Sequence, residues 1–434
     1  NGMLYLRGQA ADYDHWRQLG LLGWGWDDVL PYFKKSEDYV DGASEYHGAG
    51  GEWRVERQRL HWPVLDDWLR AAINAGIPPV DDFNTGDNEG VGYFKVNQRS
   101  GWRSNMAGSF LRTIKNKDNL YLKTHAQTQR VIVKQNHAVG VEYQQGATSK
   151  TAYARAEVIL CAGAIGSPYL LQLSGIGPAQ HLQAHGVEVL HHSPEIGANL
   201  QDHLQLRCSW RLTGAKTLNT LANSVFEKAK IAGEYLLKRS GPMSMAPSQL
   251  GAFAKSRPDV ATADLEYHVQ PLSLDAFGEP LHDFSAITAS VCHLRPESRG
   301  EVRLASSNPL DAPLISPNFL SSKGDRLVAK DAINLTRKIM SQPALQQYQP
   351  KEYKPGPQAQ TDCDLIQAAG DIGTTIFHPT SSVRMGKDAT APLTEKLQLR
   401  GIEGLRVVDA SAMPCITIGN TNAPTMMIAK KQQI

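Results

Sequence analysis

Cysteine is scarce in this chain. Cys161, Cys208, Cys292, Cys363 and Cys415 are five in 434 residues, and no two share a Cys-x-x-Cys spacing. That excludes a disulfide framework or a zinc ribbon as the organising device and fits a reducing compartment; no metal site is expected. No apolar run approaches the roughly 20 residues that a membrane span needs. A surplus of one charge is also missing, since 45 Lys and Arg face 43 Asp and Glu for a net +2. Without a basic stripe, nucleic acid is not an expected partner. The short runs Phe33-Lys34-Lys35 and Lys228-Ala229-Lys230 read as solvated faces. Gly-x-Ser-x-Gly is absent, which leaves a serine hydrolase unsupported. Gly-x-Gly-x-x-Gly, the loop that brings backbone against a pyrophosphate, is absent too.

What is present exceeds one ordinary core, so two domains or one large composite are expected. Residues 10–40 predict a helix pair turning at Gly23–Gly25, with Asp27 capping Asp28–Lys35. Residues 44–58 read as a glycine-rich loop and 62–76 as an amphipathic helix presenting Val64, Leu65, Trp68, Leu69 and Ile73. Pro78–Gly92 reads as a long connection. Strand patterns follow at Leu120–Leu122, Arg130–Val133, Ala138–Tyr143 and Ala154–Leu160. Cys161 to Pro168 then predicts a strand end, a glycine turn and a helix capped by Ser167 with Pro168 at its first position. Residues 203–375 differ, with helices at 222–238 and 325–341 and strands at 264–270, 284–294 and 300–305. The strand Leu405–Val408 and a helix from Ala423 return to the earlier pattern.

The last third carries the chemistry. His378 stands in Phe377-His378-Pro379-Thr380-Ser381-Ser382-Val383-Arg384-Met385-Gly386; then come Gly404-Leu405-Arg406-Val407-Val408-Asp409-Ala410-Ser411 and Gly419-Asn420-Thr421-Asn422-Ala423-Pro424-Thr425. A neutral imidazole, with a reference pKa near ~6.5, can accept the proton an alcohol loses on oxidation. An amide such as that of Asn422 can donate to the substrate oxygen but cannot act as a base. A histidine packed in a turn, an asparagine capping a helix and an aspartate ending a strand are the plain structural alternatives. His181 and His185, spaced i, i+4, have no acidic or cysteine partner nearby, and His191-His192 point to opposite sides of a strand, so neither pair reads as a metal site. The loop Pro242-Met243-Ser244-Met245-Ala246 reads first as core filling, with a lid over a substrate entrance as the lesser reading.

Three ordered segments together resemble the glucose–methanol–choline (GMC) family of FAD-dependent oxidoreductases. They are Asn1-Gly2-Met3-Leu4-Tyr5-Leu6-Arg7-Gly8 with Asp14; Gly163-Ala164 through Ser167-Pro168, Leu170-Leu171 and Ser174-Gly175-Ile176-Gly177; and the C-terminal block. Gly197-Ala198-Asn199-Leu200-Gln201-Asp202-His203 and Arg295–Leu304 extend the likeness nearly end to end. The resemblance implies an α/β fold: a split FAD-binding domain with an inserted substrate domain on an antiparallel sheet. The expected segments are 1–60, 119–202 and 397–434 for the FAD domain, 61–118 for covering helices and loops, and 203–396 for the substrate domain. A βαβ unit bearing the glycine loop is expected upstream of Asn1.

The resemblance also implies roles. His378 becomes the general base and Asn422 the substrate orienter. Asn1, Gly2, Met3 and Leu4 pass over the isoalloxazine, Phe377 lies near it, and Thr425 donates to the ring's edge. Asp409 and Ala410 meet the ribityl–pyrophosphate part, and Thr128 presents backbone to adenine. The expected reaction is oxidation of a primary or secondary alcohol, choline-like or aliphatic, with hydride passing to FAD and an acceptor (oxygen, quinone or other carrier) left open. A quaternary ammonium substrate needs an aromatic cage or a carboxylate, for which Glu266 and Tyr267 are the candidates. The alternatives are a lyase cleaving cyanohydrins, a photodecarboxylase, which retention of the histidine disfavours, and an inactive fragment of the oxidoreductase. A cytoplasmic location is expected, with attachment to the face of an inner membrane as its variant.

Overall fold

The computed structural model describes residues 1–276 and 278–432. Its centre is an antiparallel sheet in the order Lys351–Lys354, Leu204–Arg211, Ala286–His293, Leu265–Gln270, Leu250–Ala254, Gly90–Tyr93. Gly373–Thr375 pairs with the start of Leu204–Arg211, beyond the end of Lys351–Lys354 on the same edge. One face of this sheet is apolar. Leu206, Cys208, Leu250, Ala252, Leu265, Tyr267, Val269, Ile287, Ala289 and Val291 are all buried in one cluster with Val328, Ala332 and Ile333 of the helix Lys323–Met340 and Leu65 and Trp68 of the helix Pro63–Asn74.

The other face is polar and still buried. Strand alternation turns Gln205, Arg207, Ser209, Glu266, His268, Gln270, Thr288 and Ser290 to the side opposite that apolar cluster, and each is at most 8% exposed. Gly251 is required here. A Cβ on it would come within 1.9 Å of the Phe94 ring, which lies across the strand 5.5 Å from the His268 ring. Leu4, Leu6, Phe94, Phe253 and Ile418 form a small apolar cluster that ties the sheet to the N-terminal segment.

The remaining elements assemble around a parallel pair, Val158–Leu160 with Leu405–Val407. The helix Gly163–Leu173 follows the first of these strands, and the chain from the second leads to the helix Asn422–Lys431. An aromatic cluster of Tyr13, Trp16, Trp24, Trp26 and Phe33 packs the helices Ala10–Gln18 and Trp26–Ser36 against them. The strands Ala126–Lys134, His137–Gln145 and Thr148–Tyr153 form a separate antiparallel meander.

Several local expectations are corrected. Helix Trp26–Ser36 starts at Gly25 rather than Asp27, because the Asp28 carboxylate reaches back to accept the Gly25 N–H at 3.0 Å. Ser167 caps nothing. The helix begins four residues earlier, and Pro168 lies inside it. Pro168 leaves the Ala164 carbonyl without its helical donor, and the Ser382 hydroxyl replaces that donor at 2.5 Å. Leu120–Leu122 is not a strand, and Thr148–Tyr153, Leu204–Arg211, Leu250–Ala254, Lys351–Lys354 and the helix Asp362–Ile372 were not foreseen. The connection Pro78–Gly92 runs into the strand Gly90–Tyr93 at the edge of the large sheet.

Candidate active site

His378 is delivered by the edge strand Gly373–Thr375. Thr375 stays beside Asp202, whose carboxylate accepts both the Thr375 hydroxyl and, at 2.9 Å, the His378 backbone N–H. Phe377, between them, takes a positive φ of 63° and donates its N–H to Thr375 Oγ1 at 2.8 Å. The strained turn points Phe377 outward, 58% exposed, and His378 inward, fully buried. Beyond His378 the chain runs antiparallel to Gln201 and then beside 410–412, with Ser381 N–H donating to the Ala410 carbonyl and Val383 N–H to the Ser411 carbonyl.

The imidazole of His378 has one neighbour on its Nδ1 side: the Nδ1 of His203, 3.1 Å away. His203 Nε2 lies 3.2 Å from the Leu294 carbonyl. A carbonyl only accepts, so His203 Nε2 carries the ring proton and its Nδ1 is a lone pair. His378 Nδ1 therefore donates, and His378 Nε2 is left as the basic lone pair. That atom is buried and has no hydrogen-bond partner among the described residues. Both rings are neutral. Burial drives the His203 pKa down to about 3, and burial, with His203 and His268 adding to it, holds His378 well below its ordinary value. Asp202 is displaced the other way, to about 6, by burial that its hydrogen bonds from Thr375 and His378 only partly offset.

The N-terminal loop and the last helix meet beside this ring. Asn1 Oδ1 accepts the Asn422 N–H at 2.6 Å, and the Asn1 carbonyl accepts from Asn420 Nδ2 at 3.2 Å. The Asn1 backbone nitrogen lies near His378. Thr421, not Asn422, is the N-cap; Asn422 is the first helical residue, with its backbone donor filled by Asn1. Gly2 and Met3 turn with φ of 53° and 66°, closed by Leu4 N–H to the Asn1 carbonyl at 3.1 Å. Thr425 gives its hydroxyl proton to the Thr421 carbonyl at 2.8 Å.

The Asp409 carboxylate joins two turns. One carboxylate oxygen accepts Gly163 N–H at 2.9 Å and Ser167 Oγ at 2.5 Å; the other accepts Ser411 N–H at 2.8 Å and Ser411 Oγ at 2.5 Å. The group is spent on clamping the glycine turn at Gly163, with its φ of 81°, to the 410–412 turn. Thr128 lies apart from the ring of His378. With Gly140, Leu160, Cys161 and Gly166 it lines an open groove of about 650 Å³.

Two groups on the buried polar face stand out that their own sequence context did not flag as buried. Glu266 is fully buried, and neither carboxylate oxygen has a well-aligned hydrogen bond; His268 Nε2 is 3.2 Å from Oε1, close enough for charge pairing but misaligned. Ser290 Oγ is likewise buried without a partner. His268 acts on both His203 and His378, which puts this part of the sheet beside His378. Tyr267, the other candidate for a cationic substrate, is excluded. It points to the opposite face, where its hydroxyl meets Thr336 Oγ1 at 3.1 Å. His185 Nδ1 lies 2.9 Å from the His181 carbonyl and His181 Nε2 lies 3.2 Å from the Leu304 carbonyl. Among the described residues no group of three or more His, Cys, Asp or Glu is arranged to hold a metal ion.

A buried neutral imidazole beside the buried polar face of the sheet, next to a strand–glycine-turn–helix unit and a helix N-terminus, suits a dinucleotide-type oxidoreductase. Comparison with known proteins agrees. The model of the GMC oxidoreductase family matches residues 1–205 and 296–429. The oxygen-dependent choline dehydrogenase of Pseudomonas fluorescens is 39% identical over 439 residues, spanning 99% of this chain and 77% of that protein. The same-named protein of Vibrio vulnificus is 37% identical, over 99% of this chain and 78% of its own. Among solved structures, pyridoxine 4-oxidase from Mesorbium loti superposes with a TM-score of 0.89 at 28% identity, covering all of this chain and 81% of its own. A formate oxidase of Aspergillus oryzae, described for its FAD modification, gives 0.91 at 25% identity with the same coverage. The chain belongs to the GMC oxidoreductase family. It is an oxidoreductase, and its cofactor is FAD.

The residues present fit that cofactor. His378 Nε2 and Asn420 Oδ1 are buried polar atoms with no partner among the described residues, the sort that a bound group satisfies. The groove beside Thr128 falls within the about 300–1,000 Å³ usual for such sites.

Proposed function

We propose that this protein oxidises a small alcohol bearing a fixed positive charge, choline being the first candidate, with His378 Nε2 as the general base. FAD, when bound, supplies the sink for the hydride that leaves the substrate carbon. The hydroxyl proton goes to His378 Nε2, the one ring nitrogen that the His203 pairing leaves as a lone pair. Asn422 orients the substrate oxygen from the helix N-terminus, where Asn1 holds its backbone. Asn1 to Leu4, Phe377 and Thr425 form the wall toward the flavin ring, and Ala410 lies toward its ribityl–pyrophosphate part. Asp409 contributes by holding the Gly163 turn in place, and Thr128 lies in the groove assigned to the adenine end. The FAD domain is drawn from 1–60, 119–202 and 397–434, and the buried polar sheet face beside His378 from the substrate domain, 203–396.

The observation that carries this reading is the unpartnered lone pair of a buried neutral imidazole. The charge preference rests on Glu266. A buried carboxylate without a good donor is costly, and a trimethylammonium group offsets its charge without asking for a hydrogen bond. That two relatives are choline dehydrogenases by name supports the same substrate class. The test is anaerobic addition of choline and of uncharged alcohols to flavin-loaded protein. Bleaching of the flavin by choline supports the reading; an unbleached flavin with every alcohol overturns it.

A further inference from the structure

The backbone ladder between the segments 201–204 and 375–380 opens around His378. Leu204 faces Thr375, so regular pairing would bring Gln201 opposite His378. Gln201 faces Thr380 instead, two residues further on. The 375–380 side therefore carries a bulge, the device that re-aims a side chain out of a regular ladder. Its backbone donors are all accounted for. Ile376 N–H goes to the His203 carbonyl at 3.2 Å and Thr380 N–H to the Gln201 carbonyl at 2.8 Å. Phe377 N–H goes to Thr375 Oγ1 at 2.8 Å, and Pro379 has no donor. The His378 N–H meets a side chain and not a carbonyl: the Asp202 carboxylate accepts it at 2.9 Å.

The other Asp202 oxygen accepts the Thr375 hydroxyl, whose own oxygen is the one that Phe377 N–H meets. One buried carboxylate thus fixes both residues of the turn. The turn needs a hold, because Phe377 at a φ of 63° lies in the left-handed region. Among the described residues, the titratable groups around Asp202 supply no cation. Burial keeps the Cys292 thiol protonated. His203 and His378 are neutral. Across a small cavity lie His293, whose pKa burial lowers, and Asp325, whose carboxylate accepts the N–H groups of Glu297 at 2.8 Å and Ser298 at 3.0 Å. Burial, only partly offset by the hydrogen bonds, displaces the Asp202 carboxyl to about 6.

We propose that Asp202 is a positioning residue for the reaction: its ionised carboxylate holds the bulge in the shape that presents His378 Nε2 to the substrate, and its protonation loosens that hold. This role rests on His378 being the general base. An ionised carboxylate accepts both donors in charge-assisted bonds. A protonated one carries hydrogen on one oxygen, so the Thr375 hydroxyl must turn away and His378 keeps only a neutral acceptor. The imidazole then strays from the geometry that proton transfer needs, and a misplacement on the order of 1 Å costs up to about 10²-fold in rate. His378 stays neutral throughout, since its own pKa is held well below the ordinary value.

The experiment is kcat against pH, from about 5 to 8, on the alcohol that bleaches the flavin fastest. It compares flavin-loaded wild type, Asp202→Asn, Thr375→Val and, as the reference for loss of the base, His378→Ala. Wild-type kcat should fall as the pH drops through about 6. Asp202→Asn offers the same acceptor with no charge to lose. It should be slower than wild type at about pH 8 by roughly tenfold, with KM little changed, and should show no fall near pH 6. Thr375→Val removes a bond that holds the Asp202 pKa down, so the fall should move to higher pH. That variant decides the matter if Asp202→Asn does not hold flavin. Without flavin or substrate, the His378 backbone N–H should exchange with deuterium faster in Asp202→Asn than in the wild type at about pH 8. A wild type with no fall, a fall that Asp202→Asn retains or Thr375→Val leaves in place, or equal exchange overturns the proposal. His378→Ala at the wild-type rate removes the base and this role with it; a slow His378→Ala beside an unimpaired Asp202→Asn removes the role of Asp202 alone.

Discussion

The Nδ1 atoms of His203 and His378 lie 3.1 Å apart, and because His203 spends its own proton on the Leu294 carbonyl, the proton between the rings is His378's. This pairing ties two segments 175 residues apart and decides which nitrogen of His378 is basic. Replacing His203 with leucine removes the acceptor while filling the space. His378 is then free to take the other tautomer. The expected outcome is a fall in kcat of roughly 10–10²-fold, smaller than loss of the base itself. His203→Asn, whose amide oxygen can accept the same proton, should recover part of the loss. Equal defects in both variants would mean that His203 matters only for packing.

The buried rings also set the response to acid. The folded-state pKa of His203, about 3, is below its ordinary 6.5. The folded protein therefore binds that proton less well than the unfolded chain. Stability is complete above pH 6.5 and is lost as the pH falls toward 3. At about pH 4.5 this one group costs about 3 kcal/mol, and His378 acts in the same direction. Asp202 opposes them. Its folded pKa of about 6 is above the ordinary 3.8, so protonation on going down through pH 6 returns about 2 kcal/mol by about pH 4.5. Urea unfolding from neutral to mildly acid pH should show net loss, and His203→Gln should flatten the curve. An unchanged slope in that variant would remove His203 from the account.

Glu266→Gln keeps the size of the side chain and removes its charge. KM for choline should rise by about 10–10²-fold while uncharged alcohols are turned over as before. A uniform change across all alcohols would show that Glu266 supports the sheet and does not select the substrate.

Asn422→Ala should lower kcat by less than His378→Ala does, since it removes an orienting donor and leaves the base. Steady-state rates on one alcohol decide it. If the asparagine variant is the slower, the division of roles between the two residues is wrong.

The C-terminal motifs made much of this site legible in sequence. His378, Asn422 and the Asn1–Leu4 loop stand in recognisable strings, and the fold brings Asn1 against Asn422. The buried polar face of the sheet was not legible as such. Leu265-Glu266-Tyr267-His268-Val269-Gln270 alternates just as a strand with one wet face does. Nothing local tells that the polar side is buried. Glu266 could thus be named from its charge, but Tyr267 could not be separated from it until the strand's two faces were assigned. His203 sat within a recognised string, yet its meaning lies in a contact far along the chain. Ser167 was misread as a cap because Pro168 normally opens a helix; here the Ser382 hydroxyl takes over the carbonyl that Pro168 cannot serve, and the helix starts earlier.

The most direct measurement is rapid anaerobic mixing of choline with flavin-loaded protein, in the wild type and in His378→Ala, following loss of flavin absorbance. The wild type should bleach, and the variant should keep its flavin and bleach slower by about 10²–10⁴-fold. A variant that holds flavin and bleaches at the wild-type rate would contradict His378 as the base.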